Sequence, residues 1–161
     1  MIQMPEMQLV HYTDRPMETI HSIPPDEQTK FFKPKGLWVS IVGPDDWKSW
    51  CESEEFGLDR FKMAYEIKLS ATARIRRIKT IAQLDAFTKT YVSPSVLGLT
   101  LGYEIEWKRL ALRYDGIIIA PYQWRRRLHD GCSWYYAWDC ASGCIWNASA
   151  VETITPIPVD L

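Results

Sequence analysis

The stretch "DGIIIAP" at residues 115–121 constrains this chain more than any other. It is an apolar run of strand length closed by Gly116 and Pro121, with no polar position to serve as a wet face. A strand of that kind lies inside a sheet and needs cover on both sides, so the rest of the chain must supply neighbouring strands and packing layers. At 161 residues it can do so as one domain, residues 1–161, burying roughly two thirds of the surface that the unfolded chain exposes.

The neighbours are legible. "MQLVHYT" alternates as a strand does, and "GLWVSIV" is a second strand broken by Gly43 and Pro44. "RFKMAYEIKLS" puts Phe61, Met63, Tyr65, Ile67 and Leu69 on one face, and "ARIRRI" continues the extended course. "WYYAWD" and "GCIWN" are strand-like. "AVETITPIPV" is a last strand that Pro156 and Pro158 confine to an edge, because proline donates nothing to a ladder.

Three segments are helical: "DDWKSWCESEEF" behind Asp45 or Asp46 as N-cap, "IAQLDAFTKTY" behind the Thr80 and Gln83 capping box, and the short amphipathic "IEWKRLALRY" with Ile105, Leu110 and Tyr114. "DRPMETIHSIPP" is a loop or short helix, while "VSPSVLGLTLGYE" and "YQWRRRLHDGCS" are loops. No βαβ alternation runs through this order. The expected class is α+β, a strongly bent, mostly antiparallel, split sheet with a few short helices.

Charge and cysteine usage narrow the function classes. A net charge of −1 provides no general field for nucleic acid or anionic membrane, so basic roles must be local. Two clusters exist, Arg74, Arg76, Arg77 with Lys79, and Arg125, Arg126, Arg127 beside Tyr122 and Trp124; the second interleaves cations with stacking rings and reads as a solvated loop or as a surface for a single-stranded nucleic acid or exposed base. No run reaches the ~18 apolar residues of a membrane span, and the start lacks the layout of a secretory signal. A cytosolic protein with no membrane partner is expected. Cys51, Cys132, Cys140 and Cys144 contain no CxxC pair, and His129 is the only nearby imidazole, so reduced thiols and no metal are expected. GxSxG, GxxxxGK[ST] and GxGxxG are all absent, which disfavours a nucleophile-elbow hydrolase, a phosphate loop and a dinucleotide turn.

Aromatic residues make up 13% of the chain, with eight Trp and eight Tyr, a supply of flat surfaces that a ring-bearing ligand can use. In "HYT" at 11–13, a strand histidine must satisfy two ring nitrogens, either within the core or with one turned to a ligand. The two dozen residues after it lead to "KPKGLWVS" at 33–40.

This order, a strand with His, one residue and a hydroxyl residue, then Gly, an apolar residue, an aromatic, an apolar residue and a small one, resembles the NAD-binding half of the ADP-ribosyltransferase superfamily. The likeness is to its diphtheria-toxin and poly(ADP-ribose) polymerase branch. The resemblance implies NAD as substrate, with His11 on a ribose hydroxyl, the Tyr12 main chain on the carboxamide, Thr13 behind them, and Trp38 in the pocket wall. Trp47 or Trp50 would stack on the nicotinamide. Gly36 would let the backbone approach where the loop enters the pocket strand, Arg15 would meet the pyrophosphate, and Lys33 or Lys35 would welcome it too.

The late strand of that family carries a glutamate at its front; "WDCASGCIWN" has none, and Ser142, Gly143 or Cys144 stands nearest that position. Asp139 is the substitute acid, with Glu152 further along. The function implied is an NAD-dependent mono-ADP-ribosyltransferase, toxin-like, acting on a protein or nucleic-acid acceptor. The missing glutamate favours the alternative, a nucleotide-binding or partner-binding module with the same fold and no turnover.

Overall fold

A computed structural model describes residues 7–17, 19–55, 61–93 and 104–159. Among the described residues seven strands form one sheet: β1 (Leu9–Thr13), β2 (Leu37–Ile41), β3 (Met63–Leu69), β4 (Ile75–Ile78), β5 (Gly116–Ile119), β6 (Ser142–Ile145) and β7 (Val151–Ile157). Their order is β4-β5-β6-β2-β1-β3-β7, and only the β4–β5 pair is parallel. The class is α+β, mostly antiparallel, in a single hydrogen-bonded sheet rather than two.

The narrowest seam lies in the middle. β1 and β2 register only through Leu9 with Ile41 and Val10 with Ser40, whereas β1 and β3 register along five residues. Beyond Val10 and Ser40 the two strands offer each other backbone that side chains must satisfy.

The three isoleucines of β5 are fully buried between β4 and β6, as an all-apolar strand demands. The proline-bearing β7 is the edge beside β3. "ARIRRI" departs from its expected course: β4 does not prolong the β3 region but crosses to the opposite edge, where it runs parallel to β5.

Helices α1 (Trp47–Glu54), α2 (Ile81–Tyr91) and α3 (Trp107–Ala111) follow the expected segments, α3 being shorter than its apolar spacing suggests. Asp46 is the cap of α1, its Oδ1 accepting from the Ser49 N–H at 2.8 Å. Thr80 caps α2 through the Gln83 N–H at 3.1 Å, and the Gln83 side chain reaches back to the Lys79 N–H at 2.7 Å. The described residues among 14–24 hold no helix, and a 3-10 turn follows at Pro25–Glu27. Of "VSPSVLGLTLGYE", residues 94–103 lie outside the described residues.

"WYYAWD" is not a strand. It belongs to a 3-10 segment, Asp130–Ala137, followed by Trp138. Trp134, Tyr135 and Trp138 are buried while Tyr136 is 55% exposed, and this spacing is that of a helical turn, not of alternation. The buried rings of Phe87, Trp107, Trp134 and Trp138 pack on one another at 5.5–6.3 Å between centroids. Each of the three indoles finds an acceptor for its N–H: Phe31 O, Thr88 Oγ1 and Phe32 O.

Candidate functional site

Strand register places Val10, Ser40 and Ser142 side by side on one face, with Trp38 two residues from Ser40 on the same side. α1 meets this face at its first turn: the Trp47 N–H donates to Ser40 Oγ at 2.8 Å, and the Asp45 carbonyl accepts from the Ala141 N–H at 2.7 Å. Between them opens a cleft of about 240 Å³, whose lining includes His11, Tyr12, Lys33, Trp38, Trp47, Trp138, Asp139, Cys140 and Ser142. That volume is below the usual range for a whole drug-sized ligand, so the cleft suits one ring and its immediate substituent.

His11 spans the narrow seam. Its Nδ1 lies 2.6 Å from the Trp38 carbonyl oxygen. A carbonyl only accepts, so Nδ1 carries the proton, and in the neutral ring Nε2 is an acceptor. Toward a ligand, neutral His11 therefore accepts through Nε2.

Asp139 stands at the entrance to β6, where its Oδ1 meets Arg127 Nη2 at 3.1 Å. Arg127 also donates to the Tyr122 hydroxyl and the Trp138 carbonyl and lies over the Tyr136 ring at 5.0 Å. The carboxylate is therefore held at one oxygen by an ion pair. Burial, with Asp46 and Glu52 nearby, raises the Tyr12 phenol above its ordinary range. Burial pushes the Cys140 thiol up to about 12, so it faces the cleft as an unreactive neutral group.

Six expected residues thus converge: His11, Tyr12, Lys33, Trp38, Trp47 and Asp139. Thr13, Arg15, Lys35, Gly36 and Trp50 lie outside the lining. Thr13 caps the following turn, its Oγ1 accepting from the Arg15 N–H at 3.1 Å. Arg15 lies away from the cleft, its side chain 87% exposed beside Asp14, because the chain leaves β1 outward there. Trp50 is outside the lining and stacks on Trp47 at 5.2 Å, a turn further along α1. Gly36 does not line the cleft; a Cβ there would lie 2.6 Å from the Ile145 carbonyl oxygen, so its service is the close approach of the β2 entrance to β6.

Three of the seven residues in the basic clusters form ion pairs within the fold, among the described residues. Arg126 grips Asp85 with two bonds of 2.8 and 2.9 Å, Arg127 holds Asp139, and Arg74 pairs with Asp115 at 3.5 Å. The thiols are free and buried, with Cys132 beside Thr88 Oγ1 and Cys144 pointing at the Pro34 carbonyl. No helix among the described residues is long and apolar enough to cross a membrane.

Trp138, Ser40 and the Arg127 partner of Asp139 escaped the sequence. Trp138 sat in a segment taken for a strand, and the ion pair links residues twelve apart through a fold that periodicity does not encode. No protein-family model matches the chain, nor does any curated protein or solved structure.

Proposed function

We propose that the cleft binds the nicotinamide-ribose end of NAD and that the protein is an NAD-dependent mono-ADP-ribosyltransferase. The observation that carries this reading is the bond from the His11 ring to the Trp38 carbonyl, which leaves Nε2 as the polar atom the imidazole offers a ligand in an aromatic cleft. A ribose hydroxyl donates to that nitrogen. The Ser40 oxygen accepts from the Trp47 N–H, so its own proton is available to a carboxamide oxygen, and the indole of Trp47 is a stacking surface for a flat ring.

Asp139 then supplies negative charge on the side where the glycosidic bond loosens and the sugar becomes cationic. A nucleophile of the acceptor captures the sugar carbon as nicotinamide leaves. A protein acceptor is better supported than nucleic acid, because Arg126 and Arg127 are committed to Asp85 and Asp139.

One observation favours the second reading, a nucleotide-binding module without turnover. The Arg127 guanidinium beside Asp139 weakens the field that a nascent cation would feel. Incubation with NAD separates the two. Nicotinamide release that is lost in His11→Ala supports the transferase, saturable NAD binding with no release over hours supports the module, and absence of NAD binding ends both.

A further inference from the structure

We infer that Lys33 is an anion subsite of this cleft, exchanging the face of Trp38 for a phosphate of the ligand. The inference deepens the nucleotide reading and rests on it for the identity of the ligand, not for the anion site itself. Lys33 and Asp139 are the lining residues with full charges, and they differ in one respect: Asp139 is compensated by Arg127, whereas Lys33 makes no ion pair among the described residues. Its ammonium rests 5.2 Å from the centroid of the Trp38 ring. Lys33 is therefore the lining cation without a carboxylate partner among the described residues, with Asp46 and Glu52 near Tyr12 as the further acids of this region.

The lysine is carried by a fixed strap. The Lys30 carbonyl accepts from the Ile105 N–H at 3.0 Å, the Phe31 carbonyl from the Trp107 indole at 2.8 Å, and the Phe32 carbonyl from the Trp138 indole at 3.1 Å. Beyond it, Lys35 is bonded through its own N–H and carbonyl to the Gln28 side chain at 2.9 and 2.8 Å. The backbone on both sides of Lys33 is thus tied down, and its ammonium has the cleft as its working range.

A contact between an ammonium and an indole face at an exposed site is weaker than a charge-assisted hydrogen bond to phosphate. A phosphate at the cleft mouth draws Lys33 off Trp38 and uncovers the indole. An uncharged ring ligand must instead displace the ammonium and leave it with nothing in exchange. Lys33 in this way selects ligands in which the ring and an anion come together.

The test is a titration of the full chain with inorganic pyrophosphate, followed by calorimetry and by tryptophan fluorescence. Wild type and Lys35→Gln should bind alike, Lys33→Gln should bind about tenfold or more weakly, and Lys33→Arg should recover most of the loss. No saturable binding to wild type, or binding that Lys33→Gln leaves intact, overturns the subsite. A parallel titration compares NAD with nicotinamide riboside, which lacks the phosphates: Lys33→Gln should weaken NAD and leave the riboside unchanged or tighter, and equal weakening of both overturns the selection. Pyrophosphate binding that obeys Lys33 in a protein that ignores NAD upholds the subsite and ends the NAD reading.

Discussion

The imidazole of His11 donates from Nδ1 to the carbonyl oxygen of Trp38 across the seam where β1 and β2 cease to register. One side chain thus replaces a ladder bond and presents its second nitrogen to a cleft. Structural and ligand roles are fused in that residue, and substitution can separate them.

His11→Asn keeps a donor near Nδ1 and removes the Nε2 acceptor. We expect it to retain most of the wild-type urea midpoint while losing NAD binding by roughly tenfold or more. His11→Ala should lose the same binding and about 1 kcal/mol of stability as well. Equal stability losses in the two variants would show that the bond to Trp38 carries no weight.

Arg127 and Asp139 should be thermodynamically coupled. Arg127→Ala removes the partner of the Asp139 carboxylate and one donor from the Tyr122 hydroxyl, which keeps its own bond to the Trp138 carbonyl, and should cost about 1–2 kcal/mol in urea denaturation. Asp139→Asn should cost less, and the double variant should fall short of additivity by about 1 kcal/mol. Under the transferase reading, Asp139→Asn abolishes nicotinamide release while NAD binding survives.

Gly36→Ala should destabilise by about 1–3 kcal/mol, because the new methyl would stand 2.6 Å from the Ile145 carbonyl oxygen and 2.9 Å from Cys144 Sγ. The obstacle is backbone, which moves only by parting β2 from β6. A shifted urea midpoint checks this, and an unchanged midpoint would mean that the two strands do not pack as closely as described.

Stability should be flat between about pH 7 and 9 and fall progressively toward 12. Burial raises the Cys51 thiol to about 11, and the Cys140 thiol and Tyr122 phenol to about 12. In the unfolded chain these groups lose their protons near their ordinary values, roughly 9 for thiols and 10 for phenols, so rising pH favours the unfolded state across that window. Cys51→Ala should shallow the decline between about 9 and 11, measured as urea midpoint against pH. For the same reason thiol reagents should leave the native protein unlabelled near neutral pH and modify it on unfolding.

Alternation, capping and apolar runs were enough to place all seven described strands except for the path of β4, and to find α1, α2 and α3, the last over-extended at both ends. Those signals are local: a period of two or 3.6 states which face is buried, and Asp46 or Thr80 states where a helix begins. The triplet at His11 and the stretch around Trp38 were also local enough to be singled out, and both reach the cleft.

What sequence left open is every relation between distant residues. "WYYAWD" looks like a strand until Phe87, Trp107 and the carbonyl of Phe32 offer its rings a layer and an acceptor. Arg127 looks like one of three surface cations until β6 brings Asp139 beside it. Trp50 and Trp47 are equivalent candidates until the first turn of α1, bonded to Ser40, turns one indole to the cleft and stacks the other behind it. Periodicity fixes burial because burial depends on the residue and its near neighbours. Partnership depends on which strands adjoin, and only the assembled sheet decides that.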